Sequence, residues 1–332
     1  GLRFNVGVVG IETIRLLSGL DTTYGEVPRN LYHYPLTMVD QNVAAGQRLT
    51  IDGSGLRVRE DLTVNGTAER DGSYTIYGGR GVDVLTGGMG HDYFVFGNDG
   101  HWGSTDRVIG GLGTDELVLR GNYSLTFGAN QLTAIETLRL LSAKDPIHGP
   151  VGTNFSYNVA TNDANLAAGA QMTVDAALLR GAETLTFNGS AETDGSFRVF
   201  GGHLGDTITG GAGADIVQGN GGADVLTGGG GADLFRYVAV TDSRTTSADQ
   251  ILDFTAGDRI DLSPTDAKIG TGNDAFTWIG GNAFSGTAGE LRATASGNVW
   301  TVQGDIDGNG IADLQIVVTV ADNHPLTAGD FI

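Results

Sequence analysis

The chain has 332 residues, 40% of them hydrophobic, with 55 glycines, six prolines and no cysteine. That is room for two or three domains or one long solenoid with a buried core, and it excludes disulfides and thiolate metal sites. Acids outnumber bases 39 to 19, and a net charge of −20 repels nucleic acid and anionic membranes while attracting cations. No run of eighteen apolar residues is present to cross a bilayer.

Residues 1–77 form a first strand-rich module. Short runs at 49–52 (LTID), 61–64 (DLTV) and 73–77 (SYTIY) are separated by Gly, Asn and Asp turns, and amphipathic helix patterns are scarce. The opening residues do not read as a signal peptide. With no cysteine, that fits export by a route that reads no N-terminal signal.

A duplication runs through the chain. IETIRLLSGLD at 11–21 recurs as IETLRLLSAKD at 135–145, NVAAGQRLTID at 42–52 as NLAAGAQMTVD at 165–175, and GTAERDGSYTIYGG at 66–79 as GSAETDGSFRVFGG at 189–202. The offset is 123 or 124 residues, so two copies of one module precede a tail. The first copy has less sequence ahead of it than the second. A fragment of a longer polypeptide is the expectation.

Each module ends in glycine-rich nonapeptides. In the first, 78–118, these are GGRGVDVLT, GGMGHDYFV, an interruption holding Trp102 with the degenerate unit HWGSTDRVI at 101–109, and GGLGTDELV. The second strand-rich module, 119–200, leads to four uninterrupted units at 201–236: GGHLGDTIT, GGAGADIVQ, GNGGADVLT and GGGGADLFR. Asp206, Asp215, Asp224 and Asp233 hold the sixth place, and Ile208, Val217, Leu226 and Phe235 the eighth. A flexible glycine linker has no reason to keep that spacing.

The unit has a physical reading. Glycines let the backbone curl its carbonyls inward. The Asp adds a hard anionic oxygen of the kind calcium takes, six to eight at a time. The three residues after it make a short strand whose middle side chain points inward. Nine residues are then half a coil, and turns two units apart stack. Asp206 pairs with Asp224, Asp215 with Asp233, Asp83 with Asp106, and Asp92 with Asp115. The fold predicted is all-β: a parallel β-roll or β-helix in two duplicated modules, with a C-terminal β-rich cap at 237–332.

These units resemble the calcium-binding nonapeptide of repeats-in-toxin (RTX) proteins. The tail, with DQILDFTAGDRIDLS at 249–263 and LTAGDFI at its end, resembles the domain that follows the β-roll in serralysin-type secreted metalloproteases. That resemblance implies calcium ions and the type I secretion machinery as partners, with the final Asp-Phe-aliphatic segment part of an uncleaved secretion signal. It also implies a ligand set in which carbonyls join each Asp. Gly202, Leu204 and Asp206 would act with Gly219, Gly221 and Asp224, and Gly211, Gly213 and Asp215 with Gly228, Gly230 and Asp233. In the first module Gly79, Gly81 and Asp83 would act with His101, Gly103 and Asp106, and Gly88, Gly90 and Asp92 with Gly110, Leu112 and Asp115. Leu204 and Asn220 stand where the pattern has Gly. Asp253 and Asp258 match the roll-closing segment, with one residue missing between its Gly and Asp.

Two further acidic strings keep two readings each. Asp305, Asp307, Asn309 and Gly310, with Asp313 at the ninth place, fit an EF-hand-type loop, but its twelfth place is Ile316; a hairpin with an Asn-Gly turn fits equally. Asp71 and Asp194, with Glu69 and Glu192, either cap each roll's first coil by ligating an ion or form solvated turns. His91 and His203 sit at variable places of their units, where exposure is expected. Trp102, Trp278 and Trp300 fit packing better than a sugar-binding surface.

No HExxH, GxSxG or P-loop string occurs, and no two of the six histidines are spaced as a zinc pair. No enzyme is expected within the chain. Calcium-controlled folding is: without cations, the acidic glycine turns repel one another and bury too little to offset chain entropy. Two functions fit: an extracellular structural or adhesive cell-surface component, self-associating or holding surface polysaccharide, or the C-terminal carrier of a secreted hydrolase or polysaccharide-modifying enzyme.

Overall fold

The computed structural model describes residues 2–5, 7–23, 31–97, 100–148, 151–270 and 272–332; the interruption ahead of Trp102 lies partly outside them, at 98–99. Runs of three to five β-branched and aromatic residues between glycine turns are too short for helices and suit a half-buried pleat. Among the described residues they form strands of two to seven residues, with four 3₁₀ turns and no α-helix. The chain divides into two compact units, 1–155 with 162–167 and 156–161 with 168–332.

In the first unit successive strands alternate between two parallel sheets. Tyr34–Thr37, Leu62–Asn65, Asp83–Thr86 and Arg107–Ile109 are neighbours in one, and Arg48–Asp52, Ser73–Tyr77, Tyr93–Gly97 and Glu116–Arg120 in the other. The strand-rich segment before Gly78 is therefore made of the same coils as the nonapeptides after it. The second unit has the same parallel plan. Thr184–Asn188, Thr207–Thr209, Val225–Thr227 and Asp249–Phe254 run side by side, facing Ser196–Phe200, Ile216–Gln218, Leu234–Arg236 and Arg259–Asp261. This is a parallel β-roll, as the nonapeptide period predicts.

In-register pairing stacks like on like. Ile76, Phe94 and Leu117 form one buried column, and Val64, Leu85 and Val108 another. The eighth-place residues Ile208, Val217, Leu226 and Phe235 do the same in the second unit, all at 1% exposure or less. Each such side chain contributes about 1.5–3 kcal/mol by leaving water. The tail departs from the parallel plan. Leu314–Val320 pairs in parallel with Asp249–Phe254, then antiparallel with Val299–Asp305, which pairs antiparallel with Glu290–Ser296.

Candidate metal centres along the turns

The nonapeptide strand begins directly after its Asp, so stacking strands in register stacks the carboxylates as well. Each Asp side chain is turned into its own turn: Asp206 Oδ2 accepts the Gly202 N–H at 2.6 Å, Asp215 Oδ2 that of Gly211 at 2.6 Å, Asp83 Oδ2 that of Gly79 at 2.8 Å, and Asp92 Oδ2 that of Gly88 at 2.7 Å. The other oxygen reaches back one coil. Asp224 Oδ1 accepts the Asp206 N–H and Asp233 Oδ1 the Asp215 N–H, each at 2.8 Å across eighteen residues.

All four expected pairs come together this way. Asp106 Oδ1 accepts the Asp83 N–H and Asp115 Oδ1 the Asp92 N–H, both at 2.8 Å but across twenty-three residues. The longer spacing is absorbed in the turns. The degenerate unit closes with Asp106 Oδ2 on the Gly103 N–H at 2.6 Å, three residues back rather than four. The glycine carbonyls face the next turn as well: those of Gly88 and Gly211 accept the N–H groups of Leu112 and Gly230.

The ladders extend past the nonapeptides in both directions. Upstream, Leu62, Tyr74, Leu185 and Phe197 donate their N–H to Asp83, Asp92, Asp206 and Asp215, so apolar residues occupy the Asp place in those coils. Their turns are closed from inside by glutamate instead. Glu69 Oε1 accepts from Arg70, Asp71 and Gly72, and Glu192 Oε1 from Asp194 and Gly195. Glu60 and Glu183 accept the N–H three residues back, from Arg57 and Arg180. Downstream, Asp249 Oδ1 accepts the Asp224 N–H, Asp258 Oδ1 the Asp233 N–H, and Glu136 Oε2 the Asp115 N–H. Sequence reasoning missed Asp249 and Glu136 because neither sits in a glycine-rich unit; their signal is position, one residue ahead of a buried-strand pattern.

The remaining expected residues are placed as follows. Asp258 is a rung, whereas Asp253 bridges the amides of Gly228 and Gly229 at 2.9 and 2.8 Å. Asp305, Asp307 and Asp313 bring their carboxylates within 4.8 Å of one another in the loop that joins the antiparallel strands Val299–Asp305 and Leu314–Val320. Asp305 takes the amides of Gly308 and Gly310, and Asn309 bonds to Asp307. Asp71 and Asp194 are exposed beside buried Glu69 and Glu192. Leu204 keeps a negative φ, so its place needs no glycine; Asn220 does turn left-handed, at φ 63°, and donates its amide to the Gly201 carbonyl. His91 and His203 are exposed as expected. His101 is buried, and burial, with Arg80 nearby, lowers its basicity. Trp102 packs edge-on between Phe96 and Phe127, while Trp278 stacks on Phe331.

The electrostatics of the ladders suit a hard cation. Burial and then Asp106 push Asp83 up to about 7, and burial with Asp92 and Glu136 pushes Asp115 up to about 7. Asp224 goes to about 8, through burial and then Asp206 and Asp242; Asp249 goes to about 9, through burial and then Asp224. Asp115 and Asp224 each keep one buried oxygen without a hydrogen-bond partner, and Asp249 has the buried Tyr237 hydroxyl as a neighbour. Crowded, desolvated carboxylates resist ionising unless a positive charge is supplied. The ladders' own ligand groups are carboxylates, hard oxygens that suit calcium better than softer metals.

Comparison with known proteins agrees with this geometry. The family described as peptidase M10 serralysin C terminal matches residues 103–332, and the RTX calcium-binding nonapeptide repeat (4 copies) matches 72–100. Metallopeptidase AprA of Pseudomonas marginalis is 40% identical over 89 residues, 26% of this chain, and the chain spans only 17% of that relative's length. With more than two thirds of its length matched, the chain belongs to the serralysin C-terminal family, and its nonapeptide turns are calcium-binding RTX repeats.

Proposed function

We propose that this chain is an extracellular protein folded by calcium, and that its role is structural: a cell-surface layer or biofilm component, exported by a type I system. The observation that carries the calcium reading is the carboxylate ladder along each roll, with its orphaned oxygens on Asp115 and Asp224. Asp83 with Asp106, Asp92 with Asp115, Asp206 with Asp224 and Asp215 with Asp233 would hold the ions, joined by carbonyls of the adjoining glycine turns. Calcium supplies the positive charge that the buried carboxylates lack. The chain's own residues do the rest: they fix the oxygens in register and stack the apolar strands.

Extracellular modules of this kind bind at about 10⁻⁴–10⁻³ M, far above cytosolic calcium, so the chain would stay unfolded inside and fold outside. At a free concentration about 100-fold above Kd each site adds about 2.7 kcal/mol. Circular dichroism in millimolar calcium and in EDTA is the test: strand signal should vanish on chelation and return on calcium addition. An unchanged spectrum refutes the reading.

The structural role rests on the repeated modules and on the lack of a catalytic motif in the sequence, and we assign no enzyme activity to this chain. Light scattering at millimolar calcium should show self-association; a strictly monomeric species argues against it. The partial likeness to a metallopeptidase favours one second reading, a C-terminal secretion and stabilising region behind an upstream hydrolase. A full-length reading frame with HExxH ahead of these residues decides for that.

A further inference from the structure

The geometry points to one more calcium site, outside every nonapeptide, formed by Asp40, Glu69 and Asp71. We infer that it binds a cation joining the 3₁₀ turn Asp40–Asn42 to the glutamate-closed turn at 69–72. This goes beyond the ladder reading, because no ladder aspartate takes part.

One carboxylate oxygen from each of the three lies within 4.8 Å of the others. Two oxygens bound to opposite sides of a calcium ion at about 2.4 Å lie about 4.8 Å apart, so one ion spans the group. The second observation is Glu69 itself. Its side chain is fully buried, at 0% exposure, and Oε2 has no hydrogen-bond partner. Oε1 is occupied by the amides of Arg70, Asp71 and Gly72, the last at 2.7 Å, and Asp40 Oδ1 takes the Arg70 amide at 3.0 Å. The backbone thus fixes Glu69 while leaving one oxygen spare. Among the described residues, no lysine, arginine or histidine forms an ion pair with any of the three. A buried carboxylate beside two others, with no counter-charge, is costly until a cation arrives. The donors are hard oxygens, as calcium requires.

The site also makes sense of the coil it closes. Tyr74 stands in the Asp place there, so this turn has no ladder carboxylate of its own. Glu69 and its two neighbours supply charge from a different part of the turn. The sequence repeat carries the same three acids 123 residues on, at Asp163, Glu192 and Asp194.

Glu69→Gln separates the two jobs of the side chain, because the amide oxygen still accepts the turn's N–H groups while the spare oxygen becomes an NH₂. Calcium bound per full-length chain at saturation, by equilibrium dialysis with elemental analysis, should fall by one ion in Glu69→Gln and in the double variant Asp40→Asn/Asp71→Asn. Strand content by circular dichroism in saturating calcium should be unchanged in both. An unchanged ion count in the folded variants overturns the inference. Should Glu69→Gln fail to fold, Asp71→Asn decides, since it alters an exposed side chain: at least a tenfold loss of affinity in one class of site supports the inference, and an unchanged titration overturns it. A wild-type chain that binds no calcium at all overturns both this inference and the ladder reading, whereas loss of a single ion in the variants bears on this site alone.

Discussion

The backbone N–H of Asp206 donates to Asp224 Oδ1 at 2.8 Å, and Asp224 Oδ2 is buried without a partner. One carboxylate therefore does two things. It orders the turn before it through one oxygen and keeps the other buried and resistant to ionising until a cation arrives.

Asp224→Asn should change sign with calcium. The amide oxygen can still accept the Asp206 N–H, while the cost of burying an ionisable oxygen disappears. In EDTA the variant should show more strand signal than wild type, because that cost is gone, and in millimolar calcium it should melt a few degrees below wild type, with weaker calcium affinity. Circular dichroism of both proteins in EDTA, and thermal unfolding of both in calcium, give the answer. A variant with no more strand signal than wild type in EDTA contradicts the account.

Acidity should act in opposite directions with and without the ion. Folded-state values near 7 for Asp83 and Asp115, 8 for Asp224 and 9 for Asp249 lie above the ordinary 3.8. The folded chain therefore binds more protons than the unfolded one between about pH 4 and 9, and metal-free stability must fall as pH rises through that window. Chelated protein should gain strand signal on acidification from pH 8 to pH 5. Calcium-loaded protein should lose affinity over the same range, since protons compete for the same oxygens. Circular dichroism against pH, in EDTA and in calcium, measures both slopes.

Stacked turns leave no room for a methyl group at Gly229. Its φ is +98°, and an added Cβ would meet the Gly211 carbonyl oxygen at 2.0 Å. Gly229→Ala should cost about 2–4 kcal/mol through backbone strain and a clash with rigid main chain. Gly270→Ala, where nothing lies within 4 Å, should stay within about 0.5 kcal/mol. Denaturant melts in saturating calcium compare them.

Trp102→Ala tests packing against ligand binding. The ring sits 4.9 Å from Phe96 and 5.3 Å from Phe127, edge-on to both. Truncation should destabilise the first unit by about 3–5 kcal/mol. Denaturant unfolding in calcium followed by circular dichroism reports it, since Trp278 and Trp300 both lie in the second unit, and a variant with wild-type stability would reopen the surface role.

The sequence made the nonapeptide turns legible because their period is fixed at nine by strand and turn together, so Asp206, Asp215, Asp224 and Asp233 announce one another. The upstream coils were hidden. Leu62 and Tyr74 pair in the same register as those aspartates, yet their turns differ in length, and the strand rows alone carry no constant spacing. In the sequence Glu69 and Asp71 fit either an ion-ligating cap or a solvated turn; that Asp40, from another turn, lies beside them is a fact of stacking that only the fold supplies. Asp253 belongs to the roll-closing motif, and in the fold it takes the amides of Gly228 and Gly229 and not that of a paired aspartate.

The tail's antiparallel hairpin has one more consequence. A parallel roll offers its last strand as a template for any other strand, including one from a second copy. Leu314–Val320 occupies that edge on Asp249–Phe254, and the sheet runs out at the two-residue strand Thr277–Trp278. The hairpin thus covers that edge, which a chain cut before it would leave open to pairing with another strand.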